Sequence, residues 1–271
     1  MEGFDKILRE IKSVEIQGAE NIAKAGIQAI LLQPDKRSAK KLINTRPTEP
    51  FLQNSIKIIL KSKNKKKTAE ALLRYIKKSE DKISRFGVTL VKNNTNVFTH
   101  CHSSTVISIL KLAHKKGKKF VVYNTETRPL LQGRKTAEEL AKAGIKVVHV
   151  PDTAAELALK QCDLFLFGAD AFLKKGVVNK VETEMLCEQA KLHNIPRYSC
   201  GISLKYAKKI KIESRPAKEV WDERNKNIRI ENPAFDLTPK KEISGVVSEL
   251  GILHYKQFIK QSKKNLKIFL K

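Results

Sequence analysis

Apolar residues in the first third of the chain recur at three- and four-residue steps. Phe4, Ile7, Leu8, Ile11 and Val14 form one such stripe, the pattern of an amphipathic helix. The phase continues through Ile22, Ala25, Ile30 and Leu31, with a break near Gly18, and Pro34 ends the run. Pro47 and Pro50 bound a short loop, TRPTEP, after which a further helix is predicted to start within Phe51–Leu60. Another is predicted over Thr68–Phe86, with Ala71, Leu72, Tyr75 and Ile76 on one face. No strand is predicted before about Thr95.

The pattern then changes to short apolar runs alternating with amphipathic stretches. NVFTHC, KFVVYNT, IKVVHV, CDLFLFGAD and IPRYSC read as strands. SSTVISILKLAHKKG, TAEELAKAG, TAAELALKQ and VETEMLCEQAKLHN read as the helices between and after them. Strands alternating with helices of this length predict parallel βαβ units, and fully apolar strands predict a sheet covered on both faces. The expected fold is α/β: a helical N-terminal domain over residues 1–90, then a Rossmann-like, doubly wound, mainly parallel sheet over 91–271. Ligands of such sheets bind outside the carboxyl ends of the strands. Segments 99–103, 124–128, 151–153, 168–170 and 199–201 should therefore converge on one crevice.

Composition narrows the class. With 41% hydrophobic and 30% charged residues the chain is globular, and no apolar run approaches the roughly 20 residues that span a bilayer. The opening MEGFDKILRE has no apolar signal core. Four cysteines without C-x₂₋₄-C spacing suit a reduced compartment and no structural zinc site, so a cytoplasmic protein is expected. The formal net charge of +26 attracts nucleic acid, acidic partners or phosphorylated compounds alike. The lysine runs carry no interleaved aromatics for base stacking, so nucleic acid is supported by bulk charge alone.

The strand ends hold the candidate chemistry. In FTHCHS, Cys101 opens a helix, where the helix N-terminus favours a thiolate; the alternative is a small buried hydrophobe. If the strand ran on through this point, His100 and His102 would share one face and Cys101 the other. Adjacent residues rarely form a nucleophile–base pair, and no third histidine has ligand spacing, so the histidines read as packing or lining groups. Asp170 ends LFLFGAD, where partial burial would raise its pKa towards a useful range; the alternative is an N-cap or turn aspartate. Glu126 and Arg128 in TETRP offer a phosphate-binding guanidinium or a Glu–Arg pair that fixes the loop. Arg46, Asn179, Lys180 and Lys205 are further donors. No GxGxxG, GxxxxGK[ST] or GxSxG is present. A thiol, an acid and several cations without a cofactor loop suit isomerisation of a small phosphorylated compound.

Three long stretches occur in order: TETRPLLQGRKTAEELAKAGI, GADAFLKKGVVNKVET and NPAFDLTPKKEISGVVSELGI. With KSVEIQGA and TRPT further upstream, they resemble one family. It contains archaeal ribose-1,5-bisphosphate isomerase, methylthioribose-1-phosphate isomerase and the regulatory α, β and δ subunits of initiation factor 2B. The resemblance is greatest to the ribose-bisphosphate branch. It implies conversion of ribose 1,5-bisphosphate to ribulose 1,5-bisphosphate in archaeal nucleoside-phosphate breakdown, by a homo-oligomer without cofactor or metal. It implies that Cys101 is the acid and that Asp170 handles the C2 hydroxyl proton. Phosphate groups would be held by Arg46 and Arg128, with the Gly18–Ala19 turn and Lys205, and hydroxyls by Asn179 and Lys180. The second possibility it carries is a non-catalytic regulatory subunit that senses a phosphorylated ligand. The chain departs from the isomerases at two positions: Gln17 stands in their RGA, and Glu182 in their NKxGT. A negative side chain at 182 is expected to crowd or repel an anionic substrate.

Overall fold

The computed structural model describes residues 2–270. Five helices come first: α1 (Glu2–Lys12), α2 (Ala19–Leu32), α3 (Lys36–Thr45), α4 (Pro50–Lys61) and α5 (Lys65–Gly87). The predicted break near Gly18 separates α1 from α2. The short helix α3 escaped the hydrophobic pattern because it buries only Ser38, Ala39 and Leu42 among lysines. Asp35 caps it by accepting from the Arg37 and Ser38 N–H groups, and Asn64 caps α5 by accepting from Lys67.

The α/β part follows as β1 (Thr95–Thr99), α6 (Ser104–Lys115), β2 (Phe120–Thr125), α7 (Gln132–Lys142), β3 (Lys146–Val150), α8 (Ala155–Leu159) and β4 (Leu164–Phe167). A hairpin, β5 (Ala171–Leu173) and β6 (Gly176–Lys180), leads to α9 (Thr183–Leu192) and β7 (Arg197–Cys200). The chain closes with β8 (Phe235–Pro239), β9 (Gly245–Ser248), β10 (Gly251–Leu253) and α10 (Tyr255–Phe269). The main sheet has seven strands in the order β10-β9-β7-β4-β1-β2-β3, parallel except for the antiparallel edge strand β10. Strands β5, β6 and β8 form a separate antiparallel sheet, which the sequence pattern did not predict.

Both faces of the central strands of the main sheet are buried, as apolar strands require, while the edge strand β3 is largely exposed. Val97, Leu164 and Leu166 pack into a core shared with the helices α1–α6, whereas Phe98, Phe165 and Phe167 face a second core with Leu186 and Phe258. Helix α10 returns to the first helical layer, where Phe269 packs edge-on against Tyr75 with ring centroids 4.8 Å apart.

The strand order fixes where a ligand can bind. From β1 the chain runs outward through β2 and β3, then returns to the other side of β1 with β4 and β7. The reversal lies between β1 and β4, which pair directly. A crevice opens beyond their carboxyl ends, at the topological switch point.

Candidate active site

Cys101 follows β1 and Asp170 follows β4, so the two stand at neighbouring strand ends. Both line one cavity, together with Gly18, Ala19, Arg46, Asn179, Lys180 and Lys205. Residues from α2, the loop before α4, the β6 end and the turn after β7 thus meet at the switch point. Arg128 is placed elsewhere. Its side chain is exposed and its Nη2 donates to the Val220 carbonyl at 3.1 Å. Its neighbours Pro129 and Leu130 line the cavity instead.

The strand ends at Thr99, so alternation does not carry through FTHCHS. Cys101 has φ 64°, in the left-handed region, which costs a non-glycine residue of order 1–3 kcal/mol. Two threonines hold it there. The Cys101 N–H donates to Thr127 Oγ1 at 3.1 Å, and its carbonyl accepts from Thr136 Oγ1 at 2.8 Å. Thr127 is itself left-handed at φ 63°, and its N–H donates to Asp152 at 2.7 Å. TETRP therefore serves the cysteine through Thr127 rather than through its charges. Glu126 pairs with Arg134 at 2.9 Å, not with Arg128. Ser103 caps α6, accepting from Val106. A Cβ on Gly168 would lie 3.0 Å from the Ser103 side chain, so the glycine of GAD lets β4 approach this helix start.

Burial decides the state of the thiol. It pushes Cys101 up to about 11, against the pull of Lys180 and with Asp170 and Asp152 adding to the rise. The helix N-terminus does not deliver a thiolate; near neutral pH the group is a thiol with a proton to give. The histidines are its surroundings. His100 is fully buried, with Nδ1 at 2.8 Å from Thr125 Oγ1 and Nε2 at 3.0 Å from the Val181 carbonyl, and burial lowers it to about 4. His102 reaches Thr136 Oγ1 at 3.1 Å and is lowered too, chiefly by burial. Among the described residues, His100, Asp152 and Glu182 place metal-type ligand atoms within 4.8 Å of one another. Both ring nitrogens of His100 are already engaged, and both Asp152 oxygens accept backbone N–H groups, from Thr127 and Arg128, at 2.7 Å. His100 and Asp152 are thereby spent as a brace between strand ends.

Glu182 stands beside that brace. It does not line the cavity, and its Oε2 lies 3.7 Å from His100 Nε2. The expected clash with an anionic ligand is therefore displaced behind His100. Its backbone, at φ 87° and ψ −18°, explains why glycine suits the position. Burial and Asp152 raise its carboxyl to about 7. Gln17 does line the cavity, beside the uncapped N-terminus of α2 at Gly18.

The charges inside the cavity are largely matched. Arg46 Nε lies 3.1 Å from Glu213 and its Nη2 lies 3.5 Å from Glu49. Arg215 pairs with Glu219 at 2.6 Å, and Lys205 Nζ donates to the Ala169 carbonyl at 2.5 Å. Lys180 is buried, and among the described residues its ammonium has no hydrogen-bond or ion-pair partner. Asn179 donates to Thr183 Oγ1 at 3.0 Å. Asp170 is raised by burial, against Lys205, Arg46 and Lys180, which lower it. Sequence reasoning missed Glu49, Glu213 and the pair Thr127 and Thr136. Only Glu49 carried a local signal, three residues after Arg46 in TRPTEP.

Comparison with known proteins matches residues 15–255 to the model of the initiation factor 2 subunit family. The ribose 1,5-bisphosphate isomerase of Methanocaldococcus jannaschii is 31% identical, over 93% of this chain and 92% of its own. The methylthioribose-1-phosphate isomerase of Thermoanaerobacter sp. is 30% identical, over 93% and 88%. The solved structure of the Pyrococcus horikoshii translation initiation factor eIF-2B superposes with a TM-score of 0.84 at 28% identity, covering 94% of this chain and 98% of that one.

Proposed function

Because this chain belongs to the initiation factor 2 subunit family, we propose that it is a sugar-phosphate isomerase converting ribose 1,5-bisphosphate to ribulose 1,5-bisphosphate. The observation that carries the reading is the placement of a protonated thiol, Cys101, and a carboxyl, Asp170, at adjacent strand ends over one cavity. The names of the relatives at about 30% identity support the reaction class. The resemblance adds that the working form is a homo-oligomer.

A phosphate on C1 locks the sugar as a ring with no free aldehyde. Cys101 gives its proton to the ring oxygen as the bond from that oxygen to C1 breaks. Asp170 takes the proton of the C2 hydroxyl as C2 becomes a ketone, and one hydrogen moves from C2 to C1. The reaction is redox-neutral, and the proton returns from Asp170 to Cys101 before the next turnover. Lys180 and the open N-terminus of α2 offer a phosphate seat. Arg46 offers a second in competition with Glu213 and Glu49.

An isomerase assay on ribose 1,5-bisphosphate, with methylthioribose 1-phosphate beside it, tests the proposal. Cys101→Ser and Asp170→Asn should each lower kcat by roughly 10²–10⁴-fold. Full activity in both variants would sink the acid–base assignment. Deuterium at C2 that is retained at C1 marks a hydride shift, and exchange into water marks an enediol. A second reading, a regulatory subunit that binds a phosphorylated ligand without turning it over, is favoured by the acids that already pair the cavity's arginines. Saturable binding with no turnover of either sugar by the wild type would select it.

A further inference from the structure

The turn that carries Cys101 is held by residues that do not line the cavity. Thr125 and Thr127 are fully buried behind it, and Asp152 stands behind them in turn. The directions of their hydrogen bonds follow from His100. The Val181 carbonyl can only accept, so the neutral imidazole carries its hydrogen on Nε2, 3.0 Å from that carbonyl. Its Nδ1 then accepts from the Thr125 hydroxyl at 2.8 Å. With that hydrogen spent, Thr125 Oγ1 accepts from Thr127 Oγ1 at 3.5 Å. Thr127 Oγ1 keeps its lone pairs for the Cys101 N–H, at 3.1 Å. Thr127 is left-handed, and Asp152 clamps it there: the two carboxylate oxygens accept from the Thr127 and Arg128 N–H groups, each at 2.7 Å. The ends of β1, β2 and β3, neighbours in the sheet, are thereby linked in one line.

We infer that Thr127 and Asp152 are positioning residues for Cys101: Asp152 fixes the left-handed Thr127, and Thr127 fixes the left-handed cysteine with its thiol over the cavity. The effect on turnover rests on the proposed part of Cys101 as an acid; the placement of the thiol does not. The φ of 64° is unfavourable for a cysteine, so the residue relaxes when an anchor is lost. The bond from Thr136 to the Cys101 carbonyl remains as a second anchor, which keeps the loop folded in a Thr127 variant. The charged groups that face the thiol are Lys180 at the end of β6, Asp170 after β4 and Asp152 after β3. Asp152 thus acts on Cys101 by charge as well as through Thr127, and a double variant separates the two routes.

Timed modification of Cys101 by an aromatic disulfide reagent at pH 7, read by mass spectrometry, tests the placement without turnover. Thr127→Val should react about three- to tenfold faster than the wild type, because a thiol released from its place is less buried and ionises at lower pH. Asp152→Ala should gain to a similar extent. Beside Thr127→Val, Asp152→Ala should add less than about twofold, because it acts through the threonine. Thr127→Ser keeps the hydroxyl and should match the wild type within about twofold. Cys162, Cys187 and Cys200 are buried and report the fold in the same spectra. Where Thr127→Val exposes them, Thr127→Ala takes its place. Where ribose 1,5-bisphosphate is turned over, kcat should fall about 10- to 100-fold in Thr127→Val and in Asp152→Ala, with KM kept within about twofold, since neither residue lines the cavity. Wild-type reactivity in Thr127→Val, a Thr127→Ser as reactive as Thr127→Val, or an Asp152→Ala effect that persists in full in the double variant would overturn the inference. The last of these would mark the charge of Asp152 as the agent. Absence of turnover in the wild type would count against the isomerase alone, since the modification rates still decide the placement. The expected reactivities with an unchanged kcat would uphold the placement and take Cys101 out of the reaction.

Discussion

The state of Cys101 separates an acid from a nucleophile, and it can be measured by reactivity towards an aromatic disulfide reagent. Burial raises the thiol from 9.0 to about 11. At neutral pH that leaves about 100-fold less thiolate than a free thiol would have. The thiolate that does form is more nucleophilic, by about 6- to 10-fold for a two-unit rise at a Brønsted slope of 0.4–0.5. The two effects combine to a rate at pH 7 about tenfold below that of a model thiol. The assay is mass spectrometry of the Cys101 peptide after timed exposure. The other three cysteines are buried and should stay unmodified in the folded protein.

The pH dependence is the sharper arm. The rate should climb about tenfold per pH unit up to about pH 10, with no plateau below it. Lys180→Met removes the one cation that pulls the thiol down, and should slow the reaction further. A rate above that of the model thiol at pH 7, or a plateau below pH 8, would refute the reasoning. Cys101 would then be a thiolate, and its part as proton donor would fall.

Three further outcomes follow from the same geometry. Lys180→Ala removes a cavity ammonium that has no partner among the described residues, so KM or Kd for a phosphorylated ligand should rise about 10- to 100-fold, the worth of a charge-assisted hydrogen bond; an unchanged KM would move the phosphate seat elsewhere. Glu182→Gly relieves a side chain held at φ 87° and should leave the protein as stable or more stable by about 0.5–1 kcal/mol in denaturant unfolding. Thermal stability should fall as pH rises from about 6.5 to 8.5: Glu49, Glu182 and Asp236 are raised to about 8, 7 and 7, so the stability they contribute at low pH is lost as pH climbs through those values. Below pH 6.5 the buried neutral His100 opposes the trend, because its lowered value makes acid destabilising, and a Tm that climbs between pH 7 and 8.5 would contradict the assignment.

The parts of the fold that were legible in the sequence are those whose burial is regular. β1, β2 and β4 are apolar on both faces, so a short apolar run was enough to find them. α5 repeats its stripe over six turns. β5, with three residues, and β6, buried at all five of its positions, have no period to read. Helix α10 has no readable stripe because its lysines outnumber the buried positions Tyr255, Phe258 and Ser262. The site divides in the same way. Cys101 and Asp170 were legible because strand ends were, and the strand-end rule needs only topology. The roles of Thr127, Thr136 and Glu49 were not, because each depends on a partner distant in the chain. TRPTEP displays Glu49 beside Arg46, but nothing in that stretch says that Glu213 will stand against the same arginine.

The net charge of +26 and the cavity must be read on different length scales. Lysines over the whole surface create a field that steers anions towards the protein, and salt of physiological strength cuts it off within about 8 Å. Inside the cavity Arg46 faces Glu213, and Arg215 faces Glu219, so the local balance owes little to that surplus. The same acids serve the proposed chemistry in two ways. They keep Arg46 and Arg215 in fixed positions, and among the described residues they leave Lys180 as a buried cation without a partner, beside Cys101 and Asp170. An anionic group entering there meets the Lys180 ammonium, which has no partner among the described residues. Glu49, held neutral, adds no second negative charge to repel it. The surface field therefore bears on how fast a phosphorylated ligand arrives, and the ion pairs inside the cavity on whether it can stay.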